Sequence, residues 1–307
     1  MPEFHVEESI EIAASPDDVF RTVRDFKSWR AWSPWLLAEP DTKLDYSADG
    51  SSYSWDGKIT GAGSMTVVHE DPPHSIDCEL RFLRPWKSTN TTAFRLQATD
   101  TGTRVTWTMR GSLPLFLFFM KRKMSAFVAA DYSRGLAMLK DRIETGDIGF
   151  SLDFLGIEAQ PECHYLGVRS QCSIPEIGSS MEQAMGKLAS QAEAAGIEPS
   201  GAPFSIYLDW DPVAGRAAYI VGFPVEATAA RAPEGCTFGC IPATDTFRIR
   251  HTGAYRHLGN AWAAGMMHQQ AKAFSPNRKV PPFEIYGNDP QSTSEEELVT
   301  TLHFPTK

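Results

Sequence analysis

The sequence predicts an α+β protein of two domains, and three observations carry that prediction. The 307 residues exceed what one hydrophobic core usually serves, with ~150 residues per domain as the prior. Short strand-like runs between Lys43 and Met109 are followed by a long helical stretch from about Leu115 to Glu144. Near the C-terminus, one tract repeats another about eighty residues earlier. Pro203-Phe204-Ser205-Ile206-Tyr207, closed by Asp211-Pro212, returns as Pro282-Phe283-Glu284-Ile285-Tyr286, closed by Asp289-Pro290. Val168-Arg169 and Phe223-Pro224 likewise return as Ile249-Arg250 and Phe304-Pro305.

In the first half, Phe4 to Ile12 alternates as a half-buried strand does. Ser15-Pro16-Asp17-Asp18 then opens a helix expected to run to about Phe26. The serine can cap, the proline suits the first turn, and the two acids favour the positive end of the helix dipole. Asp49-Gly50, Asp56-Gly57, Asp71-Pro72-Pro73 and Asp100-Thr101-Gly102 punctuate the following runs as an antiparallel meander. From Leu115, Phe116, Phe119, Met120, Met124, Phe127 and Val128 recur at three- and four-residue steps, and Leu136, Leu139 and Ile143 continue the stripe until Gly146 ends the helix.

Gly146 to Gly149 and then Phe150 to Glu158 read as a short packed connection, which sets the expected domains at 1–148 and 149–307. The repeats, about 163–226 and 244–307, each read strand, helix, strand, strand. In the first copy these are Tyr165–Gln171, a helix from about Pro175 to Ala195, Phe204–Trp210 and Ala217–Phe223. In the second they are Thr246–His251, a helix from about Tyr255 to Ala273, Phe283–Tyr286 and Glu297–Phe304. A duplicated unit of this kind is expected to close around a shared cleft. At the repeated position one copy carries Ser205 and the other the carboxylate of Glu284.

Composition narrows the function classes. The net charge of -9 divides as -3 for residues 1–150 and -6 for 151–307, so neither half offers the basic footprint of a nucleic-acid binder. Five cysteines without framework spacing read as reduced thiols, and Cys236 and Cys240 fit neither a redox pair nor a zinc pair. His251 and His257 lack metal-ligand spacing, and no metal or cofactor is expected. With no basic, apolar leader evident, and Leu113–Met120 as the longest apolar tract, a cytoplasmic protein is expected. Leu115 to Lys123 reads either as a membrane-touching segment or as a helix start buried on two sides, and membrane contact is not favoured.

Val6 to Phe20, the Trp29-Arg30-Ala31-Trp32-Ser33-Pro34-Trp35 cluster and the Leu115–Glu144 helix carry a resemblance. Over about residues 3–146 the chain resembles the START/Bet v 1-like superfamily, the SRPBCC or polyketide cyclase type. The resemblance implies a helix-grip domain, a curved antiparallel sheet around the long helix with an apolar cavity between them. Trp32 and Trp35 would then either wall a ligand or pack the mouth of the sheet as core.

A second resemblance rests on His251-Thr252-Gly253-Ala254-Tyr255, Leu258, Trp262, Phe283-Glu284-Ile285-Tyr286 and Asp289-Pro290. Over about residues 160–307 the chain resembles the GyrI-like family, the effector-binding domain of AraC- and MerR-type regulators. Strand alternation alone puts Glu284 and Tyr286 on one face, turned either to a groove or to solvent. The resemblance implies the groove, with Glu284 at its base facing cationic, lipophilic ligands and Tyr207, Trp210, Tyr255, Trp262 and Tyr286 nearby.

Two function classes follow. The first is a binding protein for hydrophobic or amphipathic, possibly cationic, small molecules, a sensor or a sequestering protein that needs a protein partner for any regulation. The second is an enzyme. Some stand-alone GyrI-like proteins hydrolyse cyclopropane-type electrophiles, and there Glu284 would activate water with help from Tyr255 or Tyr207. A cyclase-like reaction in the first domain is a further alternative.

Overall fold

The computed structural model describes residues 3–112, 119–226 and 231–307. The chain divides into two compact units, residues 1–149 with 266–271 and residues 150–265 with 272–307. Both are α+β, as the sequence predicts.

In the first unit, β1 (Glu3–Ile12) leads to α1 (Pro16–Arg24), whose cap is Ser15 accepting from the Asp18 amide at 3.2 Å. A 3-10 turn at Ser28–Ala31 and α2 (Pro34–Ala38, capped by Ser33) carry the tryptophan cluster. The meander is β2 (Lys43–Tyr46), β3 (Ser52–Asp56), β4 (Ala62–Asp71), β5 (Ser75–Arg84), β6 (Ser88–Thr99) and β7 (Gly102–Ser112). These strands form one antiparallel sheet in the order β1-β7-β6-β5-β4-β3-β2. The closing helix α3 (Lys121–Thr145) packs on β1 and β7 and stops at Gly146, which takes the left-handed conformation at φ 89°. The expected helical residues Leu115 to Phe118 lie outside the described residues.

In the second unit, the tract expected to be a connection is an eleven-residue strand, β8 (Phe150–Gln160). The remaining elements are β9 (Cys163–Ser173), α4 (Ile177–Ala194), β10 (Phe204–Asp211), β11 (Arg216–Pro224), β12 (Thr237–Ile241), β13 (Thr244–Gly253), α5 (Leu258–Gln270), β14 (Phe283–Tyr286) and β15 (Val299–Pro305). They build an eight-stranded sheet in the order β12-β9-β11-β10-β14-β15-β13-β8. The two halves meet at β10 and β14, where Ser205 lies directly opposite Glu284. The position that differs between the repeats is therefore the centre of the sheet. The outermost strands cross between halves. β8, which precedes the first repeat, pairs with β13 of the second, and β12, which precedes the second, pairs with β9 of the first.

Helix α4 covers β9 and β11 through Leu166, Val168, Ala184, Leu188, Tyr219 and Val221. Helix α5 comes down on β15, where Trp262 meets Phe304 with ring centroids 5.2 Å apart. Gly265 permits that approach, since a Cβ there would lie 2.1 Å from the Phe304 ring. A second apolar cluster of Tyr165, Phe204, Ile206, Ile241, Val280 and Phe283 fills the opposite face of the central strands. Ser205, Tyr207, Glu284 and Tyr286, alternate residues of β10 and β14, consequently share the helix-side face.

Gly265→Ala should destabilise the second unit by about 1–3 kcal/mol, because ring and helix cannot both keep their places. Urea unfolding of the two proteins checks this, and an unchanged midpoint would show that the helix has room to lift.

Candidate functional site

At the meeting of β10 and β14, Glu284 is 1% exposed. Three neutral donors hold its carboxylate. Tyr207 Oη donates to Oε1 at 2.9 Å, Tyr286 Oη to Oε1 at 2.7 Å, and Trp262 Nε1 to Oε2 at 2.8 Å. Each donor comes from a different element, β10, β14 and α5, so the cage depends on both repeats being folded together. Because Tyr286 gives its proton to Glu284, the 2.8 Å contact between Tyr286 Oη and Ser205 Oγ is donated by the serine. Both forms of the repeated position, Ser205 and Glu284, thus belong to one hydrogen-bonded chain.

Electrostatics at the cage is a contest between burial and hydrogen bonding. Burial raises the Glu284 pKa, the donors from Tyr286, Trp262 and Tyr207 lower it, and the balance stays above the ordinary carboxylate value. The phenols of Tyr207 and Tyr286 are pushed well above their usual value, first by burial and then by the Glu284 charge. They remain neutral donors. Among the described residues Glu284 is partnered by Tyr207, Tyr286 and Trp262 and by no basic side chain. A carboxylate in this position is partnered but not charge-neutralised.

Tyr207, Trp262 and Tyr286 surround Glu284. Tyr255 and Trp210 stand farther out, against the cage's rings. Tyr255 meets Tyr286 edge-on at 5.8 Å and is 37% exposed, while Trp210 meets Tyr207 at 6.2 Å and is 45% exposed. The tyrosines in hydrogen-bond contact with the acid are Tyr207 and Tyr286, and Tyr255 reaches the cage through the ring of Tyr286. A concavity of about 230 Å³ lies by Arg169, Gln171, Leu208, Asp209 and Arg216, and none of its lining residues belongs to the cage.

Trp32 and Trp35 sit in the first unit. Trp32 is fully buried and packs on Trp29 at 4.6 Å and Trp107 at 5.9 Å. Trp107 in turn stacks on Tyr132 of α3 at 3.9 Å. Trp35 is half-buried, its indole donating to Asp131 at 3.1 Å. These rings fill the space between sheet and helix, so Trp32 is core packing and Trp35 is tied to α3.

Sequence reasoning missed one group beside the cage. His251 is fully buried, and neither ring nitrogen has a hydrogen-bond partner; Thr300 Oγ1 and Asn260 Oδ1 are likewise unpartnered. His251 faces Thr300 across β13 and β15, and Thr300 faces Tyr286 across β15 and β14. Burial and the neighbouring His257 press the His251 pKa down to about 4, so it stays neutral. The available sequence signal was the histidine's place on the apolar face of a core strand, where an imidazole costs more than a leucine would.

Residues 3–144 match the family described as polyketide cyclase / dehydrase and lipid transport, and residues 156–307 match the GyrI-like small molecule binding domain. The two matches follow one another along the chain, each over just under half of it, and together they indicate small-molecule binding. No curated protein matches it. Among solved structures it is similar to the EcmrR C-terminal domain, with 18% identity over 52% of this chain and 98% of that one and a TM-score of 0.44. An EcmrR–DNA complex is similar at 15% identity over 64% of this chain and 78% of that one, with a TM-score of 0.45. The Aha1 dimer of Colwellia psychrerythraea is similar at 20% identity over 47% of this chain and 98% of that one, with a TM-score of 0.36. Among the described residues no helix is long and apolar enough to cross a membrane.

A carboxyl whose pKa is higher in the folded than in the unfolded chain binds its proton more tightly when native. Its stabilisation is complete below the ordinary glutamate value of 4.5 and is lost as pH rises through the native pKa. The stability advantage of the wild type over Glu284→Gln should therefore shrink from mildly acidic to alkaline pH. Urea midpoints measured across that range check this; curves that run parallel would show an acid of ordinary pKa.

Proposed function

We propose that the C-terminal domain captures amphipathic organic cations, with Glu284 as their counter-charge and Tyr207, Trp262 and Tyr286 as aromatic walls. The observation that supports this reading is the buried carboxylate held only by neutral donors. Leaving such a charge without a cation is costly, so a ligand that supplies one is favoured over a neutral ligand of the same shape. The rings add cation–π attraction of roughly 0.5–2 kcal/mol. Tyr255 and Trp210, exposed and packed on the cage's outer rings, mark where a ligand enters, and their displacement opens the closed cage. Beyond it, His251, Thr300 and Asn260 offer polar atoms to a ligand's uncharged end. The role is sensing or sequestration, with regulation passed through a protein partner.

A second reading, hydrolysis of a reactive electrophile, is favoured by one observation. The Ser205–Tyr286–Glu284 chain ends on a carboxyl whose pKa burial raises, which suits a general acid or base. In that reading Glu284 deprotonates water and Tyr286 positions the acid.

Tetraphenylphosphonium, followed by tryptophan fluorescence, and its neutral analogue tetraphenylmethane in detergent separate these ideas. Glu284→Gln should weaken binding of the cation at least tenfold, on the order of 1.4 kcal/mol, and change the neutral compound little. Equal effects on both would sink charge selection. Time-dependent loss of an electrophilic probe that stops in Glu284→Gln would support the hydrolytic reading instead.

A further inference from the structure

The outer edge of the eight-stranded sheet carries a second cluster of reactive side chains, independent of the Glu284 cage. Strand β12 pairs with β9 so that Cys240 lies directly opposite His164. Glu162, immediately before β9, brings its Oε1 to 3.2 Å from His164 Nε2. The ligand atoms of Glu162, His164 and Cys240 all lie within 4.8 Å of one another, and all three residues are exposed. We propose that Glu162, His164 and Cys240 form a binding site for a zinc-class divalent ion.

The geometry and the donor chemistry agree. Zinc takes nitrogen at about 2.0–2.1 Å, sulfur at about 2.3 Å and carboxylate oxygen at about 2.0–2.2 Å, so tetrahedral ligands sit roughly 3.3–3.8 Å apart. Side chains already inside 4.8 Å reach that spacing by small torsional adjustments, which their exposure permits. An imidazole and a thiolate select zinc or its neighbours over magnesium and calcium, which prefer oxygen throughout. Thiolate and carboxylate together supply two negative charges, matching a divalent ion bound with a neutral imidazole.

The placement is also specific. Two ligands are held by the register of a strand pair, and the third is two residues away in the chain, so the backbone presets the cluster. Cys236, one residue before β12 and four before Cys240, is not within 4.8 Å of the other three. The fourth position belongs to water, as in open zinc sites. Sequence spacing concealed the site, since Cys240 joins Glu162 and His164 only through strand pairing. A bound ion would also fasten the edge strand β12, only five residues long, to β9.

Cobalt(II) titration of the reduced protein, with a phosphine reductant present, tests the proposal. A thiolate-to-cobalt charge-transfer band with four-coordinate visible bands should saturate at one equivalent and be displaced by zinc. Cys240→Ser should abolish the charge-transfer band, and Glu162→Gln or His164→Gln should weaken binding at least tenfold. Absence of the band in the wild type would overturn the site. Its persistence in Cys240→Ser would do the same, because Cys163, Cys172 or Cys236 would then be the ligand. These variants lie outside the Glu284 cage, so their outcome is independent of the cation-binding reading.

Discussion

One carboxylate at the seam of two repeats organises the C-terminal domain. Glu284 can stay buried only while Tyr207, Tyr286 and Trp262 donate to it, and those donors reach it only when β10, β14 and α5 are all in place. Burying a charge without a cation is among the costlier things a protein can do. The strand pairing, the Gly265 contact that lowers α5, and the Ser205 hydroxyl behind Tyr286 all serve to keep that acid satisfied. The same arrangement leaves it ready for a positive partner.

The repeat explains why such a site arises here. Duplication with the outer strands exchanged gives a sheet with a central seam and a helix over each half. At the middle of the seam Ser205 meets its own repeat counterpart, Glu284, so serine in one copy and glutamate in the other breaks the symmetry at the centre. The first domain shows the contrasting use of aromatics. There Trp29, Trp32, Trp107 and Tyr132 pack on one another, and the indole of Trp107 and the phenol of Tyr132 share Thr92 Oγ1 at 2.9 and 3.1 Å. Rings that satisfy each other in this way build a core, whereas rings that donate to a lone acid build a site.

Much of this was legible in the residues. The internal repeat located the seam, and period-two alternation placed Glu284 and Tyr286 on one face before any coordinates. Strand β8 was misread as a connection, although Phe150, Leu152 and Phe154 alternate with Ser151 and Asp153. Gly156, at φ 83° beside the bulge, interrupts the pattern and disguises its length. Strand β12 is short, and its partner is remote in sequence, so nothing local announced it. Side-chain reach was the other limit. Periodicity could not rank Tyr255 below Tyr207 and Tyr286, because which phenol touches the acid depends on where α5 settles on the sheet. The pairing of His251 with Thr300 on that face was hidden for the same reason.

The central claim concerns the charge at the seam, and carbon-13 NMR of a glutamate-labelled protein, with Glu284→Gln to assign the carboxyl resonance, reads it directly. The account predicts that this carbon titrates above the ordinary glutamate range in the free protein and shifts to lower pH when an organic cation is bound. A resonance that titrates as an exposed glutamate does, and is indifferent to added cation, would contradict it.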